Sequence, residues 1–293
     1  MDNSALLLVI LAALLHAAWN YLLKKCGGGL GILTLSAITA SVVLTPFALF
    51  LLWRGFTFPF GVWAALGIVI CSGILHMIYF LLLDRAYRSA GTGGDLSVVY
   101  PLARATGPLL TIIAATLFFG EVMTPVAAAG ALLIGISALI LTGDPRKLFS
   151  RQAGKGVGFA LLCGGMIACY TLVDKQAVAL FLIPPVVFDW AANVARVTML
   201  VPYTKLREPQ AMALAWRDHR QTIIAIGVMS PLSYILVLTA MVYTPVSYVA
   251  PAREMSILFA ALLGAHVLNE GDATRRTLAA LGMVVGVAGL ALG

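Results

Sequence analysis

Ten apolar runs, each about 18–23 residues long and separated by short polar clusters, dominate this chain. They lie at residues 4–24, 31–52, 61–83, 96–118, 125–142, 157–174, 186–203, 222–242, 246–268 and 274–292. A helix of ~20 residues crosses the hydrocarbon core of a bilayer, so each run has the length of one transmembrane helix. Barrel strands are half that length and alternate in polarity, and these runs do not alternate. The chain is 61% hydrophobic and 11% charged, whereas a globular domain carries about 45–50% apolar and about 25% charged residues. That balance excludes a water-soluble domain, a disordered chain and a nucleic-acid-binding module. The four cysteines, Cys26, Cys71, Cys163 and Cys169, form no CxxC pair and support neither a zinc site nor a disulfide framework. The first run is read as a helix, not a leader, because Lys24 and Lys25 follow it instead of preceding it.

Lys and Arg placement orients the spans. Taking the N-terminal side as one face, loops on the opposite face carry Lys24, Lys25, Arg85, Arg88, Arg146, Lys147, Arg151, Lys155, Lys205, Arg207, Arg217, Arg220, Arg275 and Arg276. The N-terminal face carries Arg54 and Lys175. This excess places the opposite face in the cytoplasm and both termini outside, in the periplasm, for a multi-pass protein of the inner (cytoplasmic) membrane.

The polar stretch 143–156 divides the chain near its middle, and the halves match internally. Trp19, Asn20 and Lys24 at the end of span 1 correspond to Tyr170, Thr171 and Lys175 at the end of span 6. Tyr79 in span 3 corresponds to Tyr234 in span 8. Arg104 and Glu121 recur at the same spacing as Arg253 and Glu270, each Arg following a Pro in PLARA or PAREM. Five spans per copy force the second copy to enter the membrane upside down. The expectation is an all-α polytopic membrane protein, with ten transmembrane helices as a 5+5 inverted-topology repeat. The first copy takes 1–143, a cytoplasmic linker takes 144–156 and the second copy takes 157–293.

The segments HAAWNYLLKK (16–25) and YPLARATGPLL (100–110), the two Glu-containing turns and the five-plus-five layout resemble EamA-type members of the drug/metabolite transporter superfamily. The resemblance implies a carrier whose central cavity is lined by helices 1–4 and 6–9, with helices 5 and 10 outside. It says little about substrate. The small multidrug-resistance relatives carry a Glu in their first helix; this chain has His16 and no acid there, against their proton–cation exchange.

Polar groups at membrane depth are functional candidates, with pairing inside the bundle as the standing alternative. Substrate-cavity candidates are His16, Trp19, Asn20, His76, Tyr79, Tyr100, Arg104, Tyr170, Tyr234, Tyr248 and Arg253. The two Arg suit a solute carboxylate or a gate, or else satisfy backbone carbonyls freed near Pro101, Pro108 or Pro251. Gating or coupling candidates are Lys24, Lys175, Asp189 and Glu254; His16 is also nominated for proton coupling. The bland readings are snorkelling for the lysines, a salt bridge for either acid, and helix capping for Glu121 and Glu270. Asp189 and Arg196 share one helix face, whereas Arg253 and Glu254 diverge by about 100°. Gly282 and Gly286 read as a helix-packing pair.

The function expected is secondary transport of a small polar or amphipathic metabolite by alternating access, with an amino-acid-like solute and export favoured. A flippase for a lipid or lipid-linked intermediate is the alternative. The chain lacks HExxH, GxSxG and Walker A motifs and repeated filter or charged-ring signatures, so neither an enzyme nor a channel is expected. No cofactor or metal is expected. The partners are a small-molecule solute and the bilayer, with proton coupling as an option and monomer or homodimer left open.

Overall fold

The computed structural model describes residues 1–89, 96–142, 154–265 and 273–293, with side chains described outside 83–101, 141–156, 261 and 263–276. Eleven helices are present among the described residues: α1 (Asn3–Lys25), α2 (Leu30–Trp53), α3 (Val62–Ser89), α4 (Leu96–Phe119), α5 (Pro125–Thr142), α6 (Gly154–Ala179), α7 (Pro185–Arg207), α8 (Ala211–Tyr243), α9 (Val246–Ala252), α10 (Met255–Ala265) and α11 (Ala273–Leu292). Six of them, α1–α4, α6 and α8, contain stretches long and apolar enough to cross a membrane by length and composition. Helix is the form this composition demands, since hydrocarbon offers backbone groups no water and each must be satisfied within its own segment. Hydroxyls inside the spans are absorbed the same way. Thr39 donates to Leu35 O (2.9 Å), Thr45 to Ser41 O (2.8 Å) and Thr111 to Gly107 O (2.9 Å), each back to the preceding turn.

The first connection is made by Gly27, Gly28 and Gly29, at φ 76°, 65° and 107°. Three successive residues with positive φ are tolerated there because none carries a Cβ. Both chain ends lie on one face of the bundle. The Met1 ammonium donates to Leu290 O (3.3 Å) and Ala291 O (3.4 Å) at the end of α11.

The helices interleave across the chain's midpoint. α1 packs on α8 and α10, α2 on α7 and α8, α3 on α6 and α7, and α4 on α6 and α9. α5 and α11 pack on each other. Their closeness rests on small residues: a Cβ added to Gly130 would lie 2.5 Å from Gly286 O, and one added to Gly286 would lie 2.7 Å from Gly130 O. The outer surface is apolar, with Trp53, Trp63, Leu117, Phe118 and Val122 all strongly exposed. In water such a surface would aggregate; against lipid tails it is matched.

Two spans differ in shape from the sequence expectation. Run 222–242 belongs to a longer helix, α8, that starts at Ala211 and bends at His219 (φ −135°). Run 246–268 is not one helix: α9 and α10 are separated at Arg253 and Glu254. The backbone tightens there to i→i−3 bonds, Glu254 N to Pro251 O (3.0 Å), Ser256 N to Arg253 O (3.2 Å) and Ile257 N to Glu254 O (2.9 Å). A mid-span stretch of this kind turns side chains about 120° apart per residue and is a common mark of a functional hinge.

Candidate functional site

The break between α9 and α10 delivers two oppositely charged side chains to the protein interior, Arg253 and Glu254, both more than nine-tenths buried. They go different ways. Glu254 Oε2 accepts from Arg104 Nε of α4 at 3.0 Å, and Arg104 Nη2 also donates to Ser256 Oγ at 3.0 Å. Arg253 instead places its guanidinium carbon 5.6 Å from the centre of the Tyr234 ring on α8. Among the described residues no hydrogen-bond acceptor meets its buried Nε.

Tyr234 connects that guanidinium to an acid. Its hydroxyl donates to Asp174 Oδ2 on α6, while Ser72 Oγ of α3 donates to Asp174 Oδ1 at 2.6 Å. Asp174 has no exposed surface. His76, one turn beyond Ser72, lies with Nε2 3.9 Å from Asp174 Oδ2 and with its ring stacked on Tyr170 at 4.0 Å. Tyr79 meets Tyr170 edge-on at 5.9 Å. A second chain of polar groups runs along α7, where Asn193 Nδ2 donates to Asp189 Oδ2 (3.0 Å) and Arg196 donates to Asn193 Oδ1. Arg196 also lies 5.9 Å from the Phe80 ring, and its Nε meets no acceptor among the described residues. The result is a buried polar centre drawn from α3, α4, α6, α7, α8 and the α9–α10 break. Its walls are aromatic, and aromatic faces attract cations as well as apolar groups.

Of the candidates read from sequence, His76, Tyr79, Arg104, Tyr170, Asp189, Tyr234, Arg253 and Glu254 surround this centre. His16 and Trp19 form their own pair on α1, edge to face at 4.9 Å, and Asn20 donates back to His16 O at 2.8 Å. The pair lies on α1, which packs against α8, α9 and α10. Tyr248 points elsewhere: its hydroxyl faces Thr124 N at 3.5 Å. Lys24 is exposed at the end of α1. The side chain of Tyr100, the residue Glu270 and most of the 144–156 linker lie outside the described residues.

Lys175 holds a helix end. Its ammonium donates to Met241 O (2.5 Å) and Thr244 O (3.0 Å) at the C-terminus of α8. Glu121 holds the adjoining N-terminus of α9, accepting from Val246 N and Ser247 N, both at 2.9 Å. A cation on a helix C-terminus and an anion on an N-terminus each complement the local dipole. The α8–α9 elbow is therefore gripped by one residue from each half of the chain.

Asp174, Ser72, Ser256 and Asn193 were absent from the sequence candidates. Asp174 was hidden by its neighbour. The run 157–174 ends at Asp174 if the Asp174–Lys175 pair is taken as a helix terminus, yet α6 continues to Ala179 and seats Asp174 a full turn inside. The apolar residues following Gln176, from Ala177 to Ile183, were the available signal.

These features define a polytopic helical membrane protein with a buried, charged and aromatic centre, the build of a solute transporter. Residues 3–143 match the EamA-like transporter family, and that match, together with the apolar helices, supports a multi-pass membrane transporter of the EamA type within the drug/metabolite transporter superfamily. No curated protein matches the chain. Among solved structures, one described only as "Crystal structure of protein" superposes with a TM-score of 0.79, covering 100% of this chain and 98% of that one at 18% identity. That likeness is one of fold.

Proposed function

We propose that the protein is a secondary carrier for a small amphipathic metabolite bearing an anionic group, with Arg253 as the anion seat. The observation carrying this reading is the buried Arg253 side chain, whose Nε has no acceptor among the described residues. An Arg in a dry interior without a hydrogen-bonded acid is costly unless something else satisfies its fork. A solute carboxylate does so, and Tyr234, Tyr170 and His76 offer faces for its apolar part. An amino-acid-like solute is the favoured class. Arg104, held by Glu254 and Ser256, positions the α9–α10 break.

In this reading the chain comprises two inverted five-helix copies, 1–143 and 157–293, in the cytoplasmic membrane with both termini periplasmic. The helix pairings support it. Matching span 1 with span 6 and span 3 with span 8 makes the α1–α8 and α3–α6 contacts counterparts, and makes α5–α11 its own counterpart. Two such copies exchange conformations around a shared centre, which gives alternating access. Export is the favoured direction.

The test is thermal stabilisation of the purified protein by a panel of amino acids, monocarboxylates and uncharged analogues. A solute at ~100 times its Kd adds about 2.7 kcal/mol to the folded state. The expected result is stabilisation by acidic-group solutes that Arg253→Gln abolishes. Equal stabilisation of wild type and Arg253→Gln by every binding solute overturns the assignment.

A further inference from the structure

We propose that His76 and Asp174 form one proton-binding site coupled through Tyr234 to the anion seat at Arg253, so that one proton travels with each anionic group the carrier binds. The inference rests on the reading of Arg253 given above.

The geometry fixes where the proton exchanges. His76 Nδ1 lies 2.9 Å from Ser72 O. A carbonyl oxygen only accepts, so Nδ1 keeps its hydrogen in every charge state of the ring. The nitrogen that gains and loses a proton is Nε2, which faces Asp174 Oδ2 at 3.9 Å. Asp174 is fully buried and is held at both oxygens by hydroxyl donors, Ser72 and Tyr234. Without the extra proton the pair carries one negative charge. With it, on Nε2 or on Oδ2, the pair is neutral.

Arg196 also faces this pair and Glu254 also faces Arg253, but each is hydrogen-bonded elsewhere. Arg104 of α4 is answered by Glu254. Arg196 of α7 is linked through Asn193 to Asp189. On α6 itself, Tyr170 stacks on His76 and Lys175 is turned to the end of α8. What remains is Asp174, joined by Tyr234 to the guanidinium of Arg253. When the His76–Asp174 pair takes up a proton, Arg253 loses one of its nearby countercharges and its attraction for a solute anion rises. A bound anion favours the proton by the same amount, since linkage is reciprocal. The proton comes from water on one side of the membrane and returns to water on the other. No covalent bond of the solute changes.

The experiment uses the full-length protein and two probes that stay ionised between pH 5.5 and 8: benzenesulfonate and L-phenylalanine. Affinity is read by thermal stabilisation, and luminal pH by pyranine in proteoliposomes under an inward probe gradient. Wild-type affinity is expected to tighten toward about tenfold per pH unit lowered, the slope of one linked proton, with the lumen acidifying as the probe enters. Asp174→Asn is expected to bind with a pH-independent affinity and to carry no protons. Tyr234→Phe keeps both charged sites while cutting the bridge, and is expected to flatten the slope; it serves if Asp174→Asn does not fold. A flat wild-type profile with binding still abolished by Arg253→Gln sinks the proton linkage and leaves the anion seat standing. A slope that persists in Asp174→Asn also sinks it. Binding of neither probe at any pH, or full binding in Arg253→Gln, fails the anion seat itself and takes the linkage with it.

Discussion

Arg104 on α4 and Glu254 at the α9–α10 break are 150 residues apart in sequence and 3.0 Å apart in space, with both side chains almost wholly buried. Their bond ties the first half of the chain to the break between α9 and α10 in the second half. Breaking such a pair on one side strands a charge and costs about 3–5 kcal/mol, whereas replacing both partners with apolar residues is often close to neutral. Arg104→Met alone is expected to destabilise by that amount. Arg104→Met with Glu254→Leu is expected to recover most of it. Unfolding in detergent, read by a thiol-reactive or tryptophan signal, checks both values through a double-mutant cycle.

The α8–α9 elbow gives a second expectation. Glu121 accepts two backbone N–H groups and Lys175 donates to two carbonyls. Hydrogen bonds to charged groups contribute about 1.5–3 kcal/mol each. Glu121→Ala is expected to lower stability by about that much and to speed hydrogen exchange at Val246 and Ser247 more than elsewhere. Equal protection at these amides in wild type and variant would remove Glu121 from this role.

Gly130 and Gly286 bring the backbones of α5 and α11 together. In hydrocarbon no hydrophobic force drives helices together, so close packing of small residues carries much of the association. Gly286→Leu is expected to force the helices apart and to cost more than Gly158→Leu, where an added Cβ meets nothing within 4 Å. Comparing the thermal midpoints of the two variants tests the difference.

Both ends of the chain meet where the Met1 ammonium reaches the carbonyls of Leu290 and Ala291. Reporters fused to the two termini are therefore expected to read the same side. The proposed orientation, from the Lys and Arg distribution, puts that side in the periplasm, and on it alkaline phosphatase fusions at either end are expected to be active. Activity at one end alone would contradict the arrangement.

The helical, membrane-length build was legible because hydrophobicity over ~20 residues is a long and redundant signal, and six of the described helices carry such a span. Arg104 and Arg253 stood out because a charge amid apolar residues is rare in such a chain. Which partner each would take was not legible. Glu254 reaches Arg104 and Arg253 turns to Tyr234 because the helix tightens between them, and no local pattern announces that tightening. Asp174 was lost for the opposite reason: two adjacent charges look like a helix end, and the apolar residues from Ala177 onward, which carry the helix on, are a weaker signal than that pair. Tyr248, an aromatic in an apolar run like Tyr234, faces a turn near Thr124 instead of the polar centre. Its direction depends on the rotation of α9, a property of tertiary packing.

The exposed girdle of Trp53, Trp63, Leu117 and Phe118 makes the choice of amphiphile a thermodynamic variable in its own right. Micelle or lipid covers those rings in the folded molecule and also solvates the denatured chain. A melting temperature for this transporter thus belongs to the protein together with its detergent, and only differences between variants in a common medium carry over to the cell.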